Sequence, residues 1–573
     1  MERLEVKTVK GHKYYYYSLW GRVDGKPRRI WQKYLGKLDD IAKAVLNGGE
    51  GPQYAEVFEW GLSESLWQAC CRIDVVSTTN QQIGTRRYGR SLSTGDYLAI
   101  AALNRAVRPQ SKRSIWQWFS QTTLVRHLVE ASQERLSSQR FWDHMDRIKE
   151  QDVSAIWQSV LRGVLQQEGF DLSSICYDGT NYYTFIDTFN SRCELPRRGK
   201  NKQGRDNLRQ ISYALFCTTD GQLPLYFDVY DGNRVDAQEF PQVLKKFQQF
   251  LLGLGQSTLP ATTLIFDKGN NSAENFALVD QLGLQFVGSV KLGEHKELQQ
   301  VSTDDLRFAN CPSLPGTKAF RIKKLVYGRQ RTVVITYNQN LFNTQWLTLQ
   351  NDIAKACEKL SALQKRLNDR AEGLMKRGKP ITAASVKKQC EAALSRQHLK
   401  QVIAIQIQSN EAGAPVLQYG IDAAAQQSVA TTYLGKNLLL SSHDEWTDEQ
   451  IIKAYRSQYL IEGMFKEGKD RLTGSWWPLH HWTDSKIRVH ALYCTIAQLL
   501  RALLMRKASQ AGLKLSMKRL IAELGGIREI INIFPGQGTK AERRQTILSR
   551  TSELQQQLIS IFGLQEPEKK KLG

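Results

Sequence analysis

The spacing of hydrophobic and polar residues changes along the chain, and each change predicts a different kind of structure. Residues 13–37 form two aromatic and basic runs on either side of Asp24-Gly25, a dipeptide that predicts a β-hairpin. Through residues 39–166, apolar residues recur every three or four positions, which predicts helices. After Gly169 the period falls to two, and strands are predicted from there on.

The order of elements after this change indicates a fold. Five strands and two helices are predicted in the order βββαβαβ. The strands fall at residues 175–178, 210–216, 223–230, 263–267 and 284–287, and the helices at 237–252 and 272–282. RNase H-like folds use this order. The predicted class is therefore a multidomain α/β (α+β) protein with an RNase H-like core.

The charge balance adds a partner to this outline. The 573 residues contain 79 Lys and Arg against 56 Asp and Glu, a net charge of +23. The excess positive charges repel one another unless the protein binds a polyanion. Nucleic acid is therefore the expected partner. Residues 1–38 hold ten basic residues and three acidic ones among Tyr and Trp, and this hairpin could lie against a phosphate backbone. It could also be a solvated edge whose charges prevent aggregation.

The remaining sequence interrupts this core and then completes it. A segment with strands and a long polar helix is followed by a helical remainder. Within that segment, residues 318–331 carry six basic residues and no acidic one, so they could face nucleic acid or simply be solvated. We predict six regions: a basic β-hairpin (1–38), a helical, DNA-binding region (39–169), the first part of the RNase H-like core (170–290), an insertion domain (291–445), the second part of the core (446–510) and a helical C-terminal region for dimerisation or DNA contact (511–573).

Cysteine usage and hydropathy favour a cytoplasmic protein, and in a bacterium the cytoplasm includes the nucleoid. The nine cysteines are odd in number and none is spaced C-x-x-C, which is typical of free thiols in a reducing compartment. The N-terminus is charged from its second residue, so we expect no secretory signal. The most apolar helical stretches are interrupted by Gln or Arg, and we expect no membrane span.

Three carboxylates are candidates for one reactive site. Asp178 and Asp267 each follow an apolar run at a predicted strand end, and neighbouring strands would bring them to the same edge of the sheet. Glu462 lies on a predicted helix with Tyr455 and Lys469. These three are seven residues apart, so they share one stripe of the helix.

This set of carboxylates predicts magnesium. Mg²⁺ prefers oxygen ligands, and two such ions can activate a water or a 3′-hydroxyl while they stabilise the leaving oxygen of a phosphodiester. Three carboxylates without metal would repel one another. Each residue also has an ordinary explanation, because a strand-terminal Asp is often a turn or cap residue and Glu462 could pair with Lys466.

Four blocks of the sequence resemble a known family. YDGTNYY, IFDKGNN and YRSQYLIEGMFKEGK, followed by HHWTDSKIRVHALYC, are similar to blocks of bacterial insertion-sequence DDE transposases, in the group marked by Y-x2-R-x3-E-x6-K. The resemblance covers about residues 172–562. It implies an RNase H-like fold with an insertion before the glutamate. It also implies cleavage and joining of double-stranded DNA at the element's terminal inverted repeats, by a homodimer on two paired ends.

The resemblance also implies roles for individual residues. Asp178, Asp267 and Glu462 would bind two Mg²⁺ ions, for which Mn²⁺ can substitute. Tyr455 and Lys469 would contact the phosphate near the transposon end.

Four further residues are candidates for DNA contact. Lys268, Lys466 and Arg456 are basic residues close to the triad in sequence. Trp346 could hold an extruded base, as a Trp of the insertion often does in this family, or could pack a helix. The arginine of the signature falls on Gln458, and Arg456 points about 200° away on an ideal helix, so the phosphate contact expected of that arginine is in question.

Two other functions are alternatives to strand cleavage. A DNA-binding repressor derived from a transposase, without cutting activity, fits the charge and the loss of the signature arginine. A glycoside hydrolase would also use paired carboxylates but gives no reason for the net charge. G-x-x-x-x-G-K-[ST], H-E-x-x-H and G-x-S-x-G do not occur, so no nucleotide cofactor is expected, and His480-His481 predicts a structural role rather than a metal site.

Overall fold

The computed structural model describes most of the chain. The described residues are 2–23, 25–46, 51–84, 91–201, 204–255, 262–375, 381–410, 413–471, 476–477, 479–535 and 542–565. Asp24 of the predicted hairpin turn lies outside them.

Strands occur along the whole described chain. They are β1 (Glu2–Val9), β2 (His12–Val23), β3 (Lys26–Gly36), β4 (Tyr54–Glu59), β5 (Ser174–Tyr183), β6 (Arg197–Arg198), β7 (Arg209–Thr218), β8 (Pro224–Asp231), β9 (Thr263–Phe266), β10 (Gln285–Val290), β11 (Ala309–Asn310), β12 (Thr317–Val326), β13 (Arg329–Asn338), β14 (Ile403–Ser409), β15 (Pro415–Ile421), β16 (Lys436–Ser441), β17 (Arg528–Phe534) and β18 (Arg543–Leu548).

Helices alternate with these strands. They are α1 (Leu38–Leu46), α2 (Gly61–Arg72), α3 (Val75–Gln82), α4 (Thr94–Val107), α5 (Ile115–Phe119), α6 (Leu124–His127), α7 (Ser138–Met145), α8 (Glu150–Glu168), α9 (Asp236–Gly253), α10 (Ala273–Gln281), α11 (Lys296–Gln299), α12 (Gln339–Ala371), α13 (Ala383–Ala393), α14 (Leu399–Val402), α15 (Ala423–Tyr433), α16 (Asp448–Arg456), α17 (Tyr459–Lys469), α18 (Asp484–Gln510), α19 (Met517–Gly526) and α20 (Glu553–Phe562). Short 3₁₀ turns occur at Lys112–Ser114, Lys268–Asn270 and Leu292–Glu294.

The described chain divides into two compact units, each built from segments far apart in sequence. One contains Met1–Gln68, Trp116–Ala131 and Lys507–Gly573. The other contains Ala69–Ile115 and Ser132–Arg506, and the central sheet lies in it. We call the first the hairpin unit and the second the core unit.

The central sheet of the core unit has RNase H-like topology. Its strand order is β11-β12-β13-β16-β10-β9-β5-β7, and both β6 and β8 pair with β7. β5, β7 and β8 are antiparallel, whereas β9 and β10 run parallel to β5 and to each other. β7 is buried over all but its first residue, as expected of a strand covered on both faces. The predicted order βββαβαβ and the predicted fold class are confirmed.

The segment predicted as an insertion, residues 291–445, contributes to this sheet and to a separate layer. β16 pairs antiparallel with β10 on one side and with β13 on the other, so the sheet continues beyond the RNase H-like strands. α12 to α15 and the β14–β15 hairpin surround a second hydrophobic core. Its fully buried members include Leu360, Val386 and Leu417.

Most of the basic residues on β12 and β13 are neutralised by acidic neighbours, which weakens the hypothesis that this stretch faces nucleic acid. Five of the six Lys and Arg in residues 318–331 form ion pairs. The pairs are Arg321–Asp448, Lys323–Asp444, Lys324–Glu297, Arg329–Asp280 and Arg331–Asp280.

The hairpin unit contains the predicted hairpin, which is part of a three-stranded sheet, and a second sheet of β4, β17 and β18 that the sequence did not predict. β2 and β3 pair as predicted, and β1 adds a third strand. On one face of this sheet, Glu5 accepts hydrogen bonds from Trp20 Nε1 (2.5 Å) and Gln32 Nε2 (2.9 Å), and the Arg3 guanidinium lies 4.4 Å from the Trp20 ring. Part of the aromatic and basic surface is therefore engaged within the sheet itself.

Two predictions of purely helical structure are wrong. β4 lies in the region predicted as helical from 39 to 169, and β17 and β18 lie in the region predicted as helical from 511 to 573. β17 pairs antiparallel with both, so that Ile530 lies opposite Val57. The β-branched residues of β17 suit a strand, but its partner β4 is several hundred residues away, where local periodicity cannot reveal it.

One helix, α18, is long and apolar enough to cross a membrane, by length and composition alone. Its mean hydropathy is 1.2, and 94% of that stretch is buried inside the protein. The core helix of a globular protein passes the same test, so burial accounts for the apolar character of α18.

Candidate functional site

Asp178 and Asp267 lie side by side in the central sheet. β5 and β9 are parallel, and Tyr177 is paired with Phe266. The next residue on each strand is therefore Asp178 on β5 and Asp267 after β9. Both aspartates are half-buried. The structure thus brings together the two carboxylates that the sequence predicted to meet.

The two aspartates have different backbone settings, and one prediction is wrong in this respect. Asp178 lies in the interior of β5, which continues to Tyr183, and does not end the strand. One Asp178 carboxylate oxygen accepts a hydrogen bond from the Gly179 N–H at 2.7 Å. Asp267 follows the last residue of β9 and precedes the 3₁₀ turn that carries Lys268, which is exposed. β5 outruns β9 because it keeps pairing with the longer strand β7.

Hydroxyl groups of Ser289 and Tyr455 lie against Asp267. Ser289 follows the β10 residues that pair in parallel with β9, so it stands beside Asp267 on the next strand. Its hydroxyl lies 3.4 Å from the Asp267 carboxylate, and the Tyr455 hydroxyl lies 3.5 Å from the same oxygen. Tyr455 also donates to Ser289 at 2.9 Å. Ser289 was not predicted as a site residue, and its only signal is a hydroxyl residue in an otherwise apolar strand.

The helix predicted to carry Tyr455, Glu462 and Lys469 is two helices, and the prediction of one continuous stripe is wrong. α16 ends at Arg456 and α17 begins at Tyr459. At the junction the amides of residues 458 and 460 bond to carbonyls three residues back, which tightens the turn and rotates the two helices relative to an ideal helix. Tyr455 is therefore on one helix, and the other two residues are on the next.

Glu462 nevertheless acts on the same hydroxyl as Asp267. Burial raises the pKa of the Tyr455 hydroxyl, and the charges of Asp267 and Glu462 raise it further. Glu462 is exposed in the first turn of α17, where the helix dipole favours a carboxylate. Among the described residues it forms no ion pair, and the predicted alternative pair with Lys466 is not present.

Lys469 reaches the strand that carries Asp178. Its ammonium donates to Thr180 Oγ1 at 2.5 Å and lies 5.6 Å from the Tyr182 ring. Side chains alternate along a strand, so Asp178, Thr180 and Tyr182 share one face of β5. Lys466, three residues earlier on α17, is exposed.

The position of the signature arginine is occupied by a buried side chain. Gln458 is 7% exposed at the junction between α16 and α17. Arg456 turns away from the acids and donates to Thr317 Oγ1 on β12 at 2.9 Å. No arginine of this helix pair therefore faces the acids, as the departure from the signature predicts.

Trp346 lies on α12 in the insertion. Its ring packs against the second hydrophobic core and is stacked on Phe342, with ring centres 6.2 Å apart. This packing is the ordinary explanation for the residue, and the base-holding role stays a prediction.

The donor set suits magnesium, although the carboxylates are not gathered around one point. In the described part of the chain, no group of three or more His, Cys, Asp or Glu side chains is arranged to hold a metal ion. Asp178, Asp267 and Glu462 offer the hard oxygen ligands that Mg²⁺ prefers. Neither Asp267 nor Glu462 has a cationic partner among the described residues. A three-carboxylate metal site would therefore require at least one of these side chains to rearrange.

Comparison with known proteins identifies the family of this region. The sequence profile of the transposase DDE domain matches residues 179–500, more than half of the chain. The match begins one residue after Asp178 and includes Asp267 and Glu462. No curated protein sequence shows significant similarity to the chain.

Solved structures of transposases resemble the chain distantly. A piggyBac transposase synaptic complex with hairpin DNA is 12% identical with a TM-score of 0.34, covering 81% of this chain and 78% of that one. A Mos1 transposase paired-end complex with the left transposon end is 11% identical with a TM-score of 0.15, covering 35% of this chain and 60% of that one. A pre-cleavage Mos1 transpososome is 12% identical with a TM-score of 0.15 and similar coverage, 35% and 61%. By the profile match, the chain belongs to the family of transposases with a DDE domain.

Proposed function

We propose that the chain is the transposase of a bacterial insertion sequence. In this proposal it cleaves and joins DNA strands at the terminal inverted repeats of that element by two-metal phosphoryl transfer. One observation carries the proposal: Asp178 and Asp267 are neighbours on parallel strands.

The three carboxylates have the role of metal ligands in this proposal. Bound there, Mg²⁺ or Mn²⁺ would activate the nucleophile and stabilise the leaving oxygen of the phosphodiester. The nucleophile is first water, which frees a 3′-hydroxyl, and then that 3′-hydroxyl, which attacks the opposite or the target strand. Asp178 is held by strand pairing with β7, and the Ser289 and Tyr455 hydroxyls lie against Asp267.

The neighbouring cations have the role of phosphate contacts. Lys469 is anchored by Thr180 on the Asp178 face of β5, so its charge is held near the acids. Lys268 and Lys466 are exposed next to Asp267 and Glu462 and would contact the backbone further along the DNA. We also propose that two copies act as a homodimer on two paired element ends, in the cytoplasm and at the nucleoid.

The test is cleavage of a labelled duplex that carries the element's terminal repeat. With Mg²⁺ we expect cutting at the repeat end, and with EDTA none. Glu462→Gln keeps the size of the side chain but removes the charge, so cleavage should fall on the order of a hundredfold or more.

The matched control is Glu358→Gln, which removes an exposed glutamate from α12 of the insertion. It should cleave as the unaltered protein does. Cleavage that persists in EDTA, or that is equal in the Glu462→Gln and Glu358→Gln proteins, would contradict the proposal.

A DNA-binding repressor without cutting activity is the second candidate. The observation that favours it is the lack, among the described residues, of three carboxylates gathered for metal binding, together with the buried Gln458 at the arginine position. This candidate predicts repeat-specific binding by the unaltered protein, no cleavage with Mg²⁺ or Mn²⁺, and no effect of Glu462→Gln.

A further inference from the structure

A pocket of about 310 Å³ lies in the core unit, and none of its lining residues belongs to the acid site. Its size is within the range of small-ligand sites. Besides two serines, its lining consists of cationic or titratable basic side chains and one indole. These are Arg105, Lys112, Arg113, Trp142, His480 and His481.

The pocket has basic residues without acidic ones. No Asp or Glu lines it. Burial lowers the pKa of Lys112 well below its usual value, and the charge of Arg105 lowers it further. Burial also lowers the pKa of His481, as do the neighbouring charges of Lys112, Arg105 and Lys486. Positive charges thus repel one another at a pocket whose lining includes no carboxylate.

Lys112 is the least satisfied member of this set. The residue is only 6% exposed, and its ammonium makes no hydrogen bond among the described residues. Its close neighbours are the ring faces of Tyr493, at 4.2 Å, and Phe141, at 5.1 Å. Ring faces attract a cation but do not replace the hydrogen bonds that it loses on burial. Such a group is costly in a protein that has no use for it.

His481, which lines the pocket, and His490 next to it both form hydrogen bonds with the Tyr493 hydroxyl. His490 Nε2 donates to the Trp476 carbonyl at 3.0 Å, so its Nδ1 is the acceptor for the Tyr493 hydroxyl at 2.5 Å. His481 Nε2 lies 3.2 Å from the same hydroxyl oxygen and can donate to it. These contacts use neutral imidazoles, which fits the lowered pKa of both histidines. The histidines therefore fix the floor of the pocket without neutralising Lys112.

We propose that this pocket binds a phosphate group, with the attached nucleoside against Trp142. Lys112 and Arg105 at the floor and Arg113 at the exposed rim supply several donors to one anion, as phosphate oxygens require. Trp142 lies next to Trp482, with ring centres 6.4 Å apart, and Trp482 is 53% exposed. Two adjacent indoles at the mouth of a cationic pocket are suited to a base or sugar.

Two sources could supply this phosphate: a nucleotide of bound DNA, or a free nucleotide or phosphate ion. The DNA source rests on the proposed function, whereas the phosphate chemistry does not. The two sources are separated by using a labelled terminal-repeat duplex in one arm of the test and deoxyadenosine 5′-monophosphate or inorganic phosphate in the other.

Lys112→Met is the decisive variant because the proposal predicts opposite effects on stability and on binding. Methionine fills the same space without a charge, so the ligand-free protein should melt at a higher temperature. The duplex should bind about tenfold more weakly, since a hydrogen bond to a charged group is lost. The slope of log affinity against log salt should also fall by about one phosphate contact.

Arg113→Gln serves as a second variant if Lys112→Met does not fold, because Arg113 lies at the exposed rim. It should weaken duplex binding in the same direction. Arg140→Gln is the matched control: it removes an exposed charge from α7, the helix of Trp142, but does not line the pocket. It should leave both melting and binding unchanged.

Each result decides the proposal. Weaker duplex binding in both pocket variants, with Arg140→Gln unchanged, supports it with DNA as the source. If the unaltered protein and the pocket variants bind duplex equally well, DNA is not the source, while the proposed function stands. If the unaltered protein binds no duplex, the proposed function fails. In either case, stabilisation of the unaltered protein but not of Lys112→Met by the mononucleotide or inorganic phosphate supports a free-ligand site, and equal responses overturn the proposal.

Discussion

At the residue scale, the Tyr455 hydroxyl connects the two halves of the acid site. It donates to Ser289, lies 3.5 Å from Asp267, and has a pKa raised by burial and by the charges of Asp267 and Glu462. The raised pKa extends to higher pH the range in which this hydroxyl stays protonated and can donate a hydrogen bond beside the carboxylates. Its role is to orient Asp267 through Ser289, because Tyr455 donates to the Ser289 hydroxyl, which lies 3.4 Å from the Asp267 carboxylate and can donate to it.

Tyr455→Phe should therefore weaken metal binding more than folding. Loss of one hydrogen bond costs about 1 kcal/mol of stability. The Mg²⁺ concentration for half-maximal cleavage of the terminal-repeat duplex should rise on the order of tenfold, as for other residues that orient metal ligands. Titration of cleavage against Mg²⁺ measures this effect.

Tyr459→Phe is the control for that titration, because Tyr459 is 66% exposed at the start of α17. It should match the unaltered protein at every Mg²⁺ concentration. A Tyr455→Phe protein with lower maximal cleavage but an unchanged Mg²⁺ midpoint would show that the hydroxyl does not act through the metal site.

Some residues of the acid site can be predicted from the sequence and others cannot. The proximity of Asp178 and Asp267 follows from strand order, because apolar runs of this kind predict neighbouring strands. Ser289 could not be found, since a single serine in a strand carries no periodic signal. The burial of Gln458 depends on a helix break at residues 457–458 that has neither Gly nor Pro to announce it.

At the element scale, an ion pair holds the β4-β17-β18 sheet of the hairpin unit to the chain segment around α6. Arg126 Nη1 donates to Glu529 Oε1 at 2.8 Å, and the Glu529 residue is only 1% exposed on β17. The Arg126 guanidinium also lies 5.5 Å from the Phe58 ring on β4. A buried carboxylate in a strand is tolerated here because a cation from another segment meets it.

Arg126→Met should open β17. It leaves Glu529 buried and unpaired, at a cost of about 3–5 kcal/mol. Hydrogen exchange of the β17 amides should report a correspondingly lower free energy of opening. Addition of Glu529→Leu should restore most of the loss, because no unpaired charge is then buried.

Arg528→Met provides the comparison, as Arg528 is exposed at the start of the same strand. Its effect should stay within about 0.5 kcal/mol. Equal effects of the two arginine substitutions would mean that the ion pair does not stabilise the sheet.

The elements themselves differ in how far the sequence predicts them. β5, β7, β8, β9 and β10 were predicted because buried strands give short, bounded apolar runs. β4 and β17 were missed because they pair with each other across several hundred residues, where local periodicity gives no signal. The sharing of β16 between β10 and β13 was missed for the same reason.

At the scale of the whole molecule, the net charge is +23, but only some of the basic residues are free of acidic neighbours and could contact a polyanion. The basic residues of β12 and β13 are largely paired with acids, whereas Lys26, Arg28 and Lys33 on β3 are exposed and form no ion pair among the described residues. The three-stranded sheet at the N-terminus is thus the better candidate for contact with a phosphate backbone, as against a solvated edge.

Combined Lys26→Gln, Arg28→Gln and Lys33→Gln should lower the salt dependence of duplex binding. Each lost phosphate contact reduces the slope of log affinity against log salt by about 0.9. Fluorescence anisotropy of a labelled duplex at several salt concentrations gives this slope.

A triple variant of equal charge serves as the control: Lys355→Gln, Lys359→Gln and Lys365→Gln on the exposed face of α12. If both triple variants lower the slope equally, the effect is one of total charge, and the N-terminal sheet is only a solvated edge.

The position of β16 has a consequence for the inheritance of such elements. An insertion that is joined to its host fold only by flexible linkers could be deleted without harm to that fold. Here residues 291–445 supply the strand that covers the β10 edge. A copy that lost this segment would expose the edge of β10, a buried and mostly apolar strand, which invites aggregation. Shortened copies would thus be removed as insoluble protein and would not persist as folded competitors of the intact enzyme.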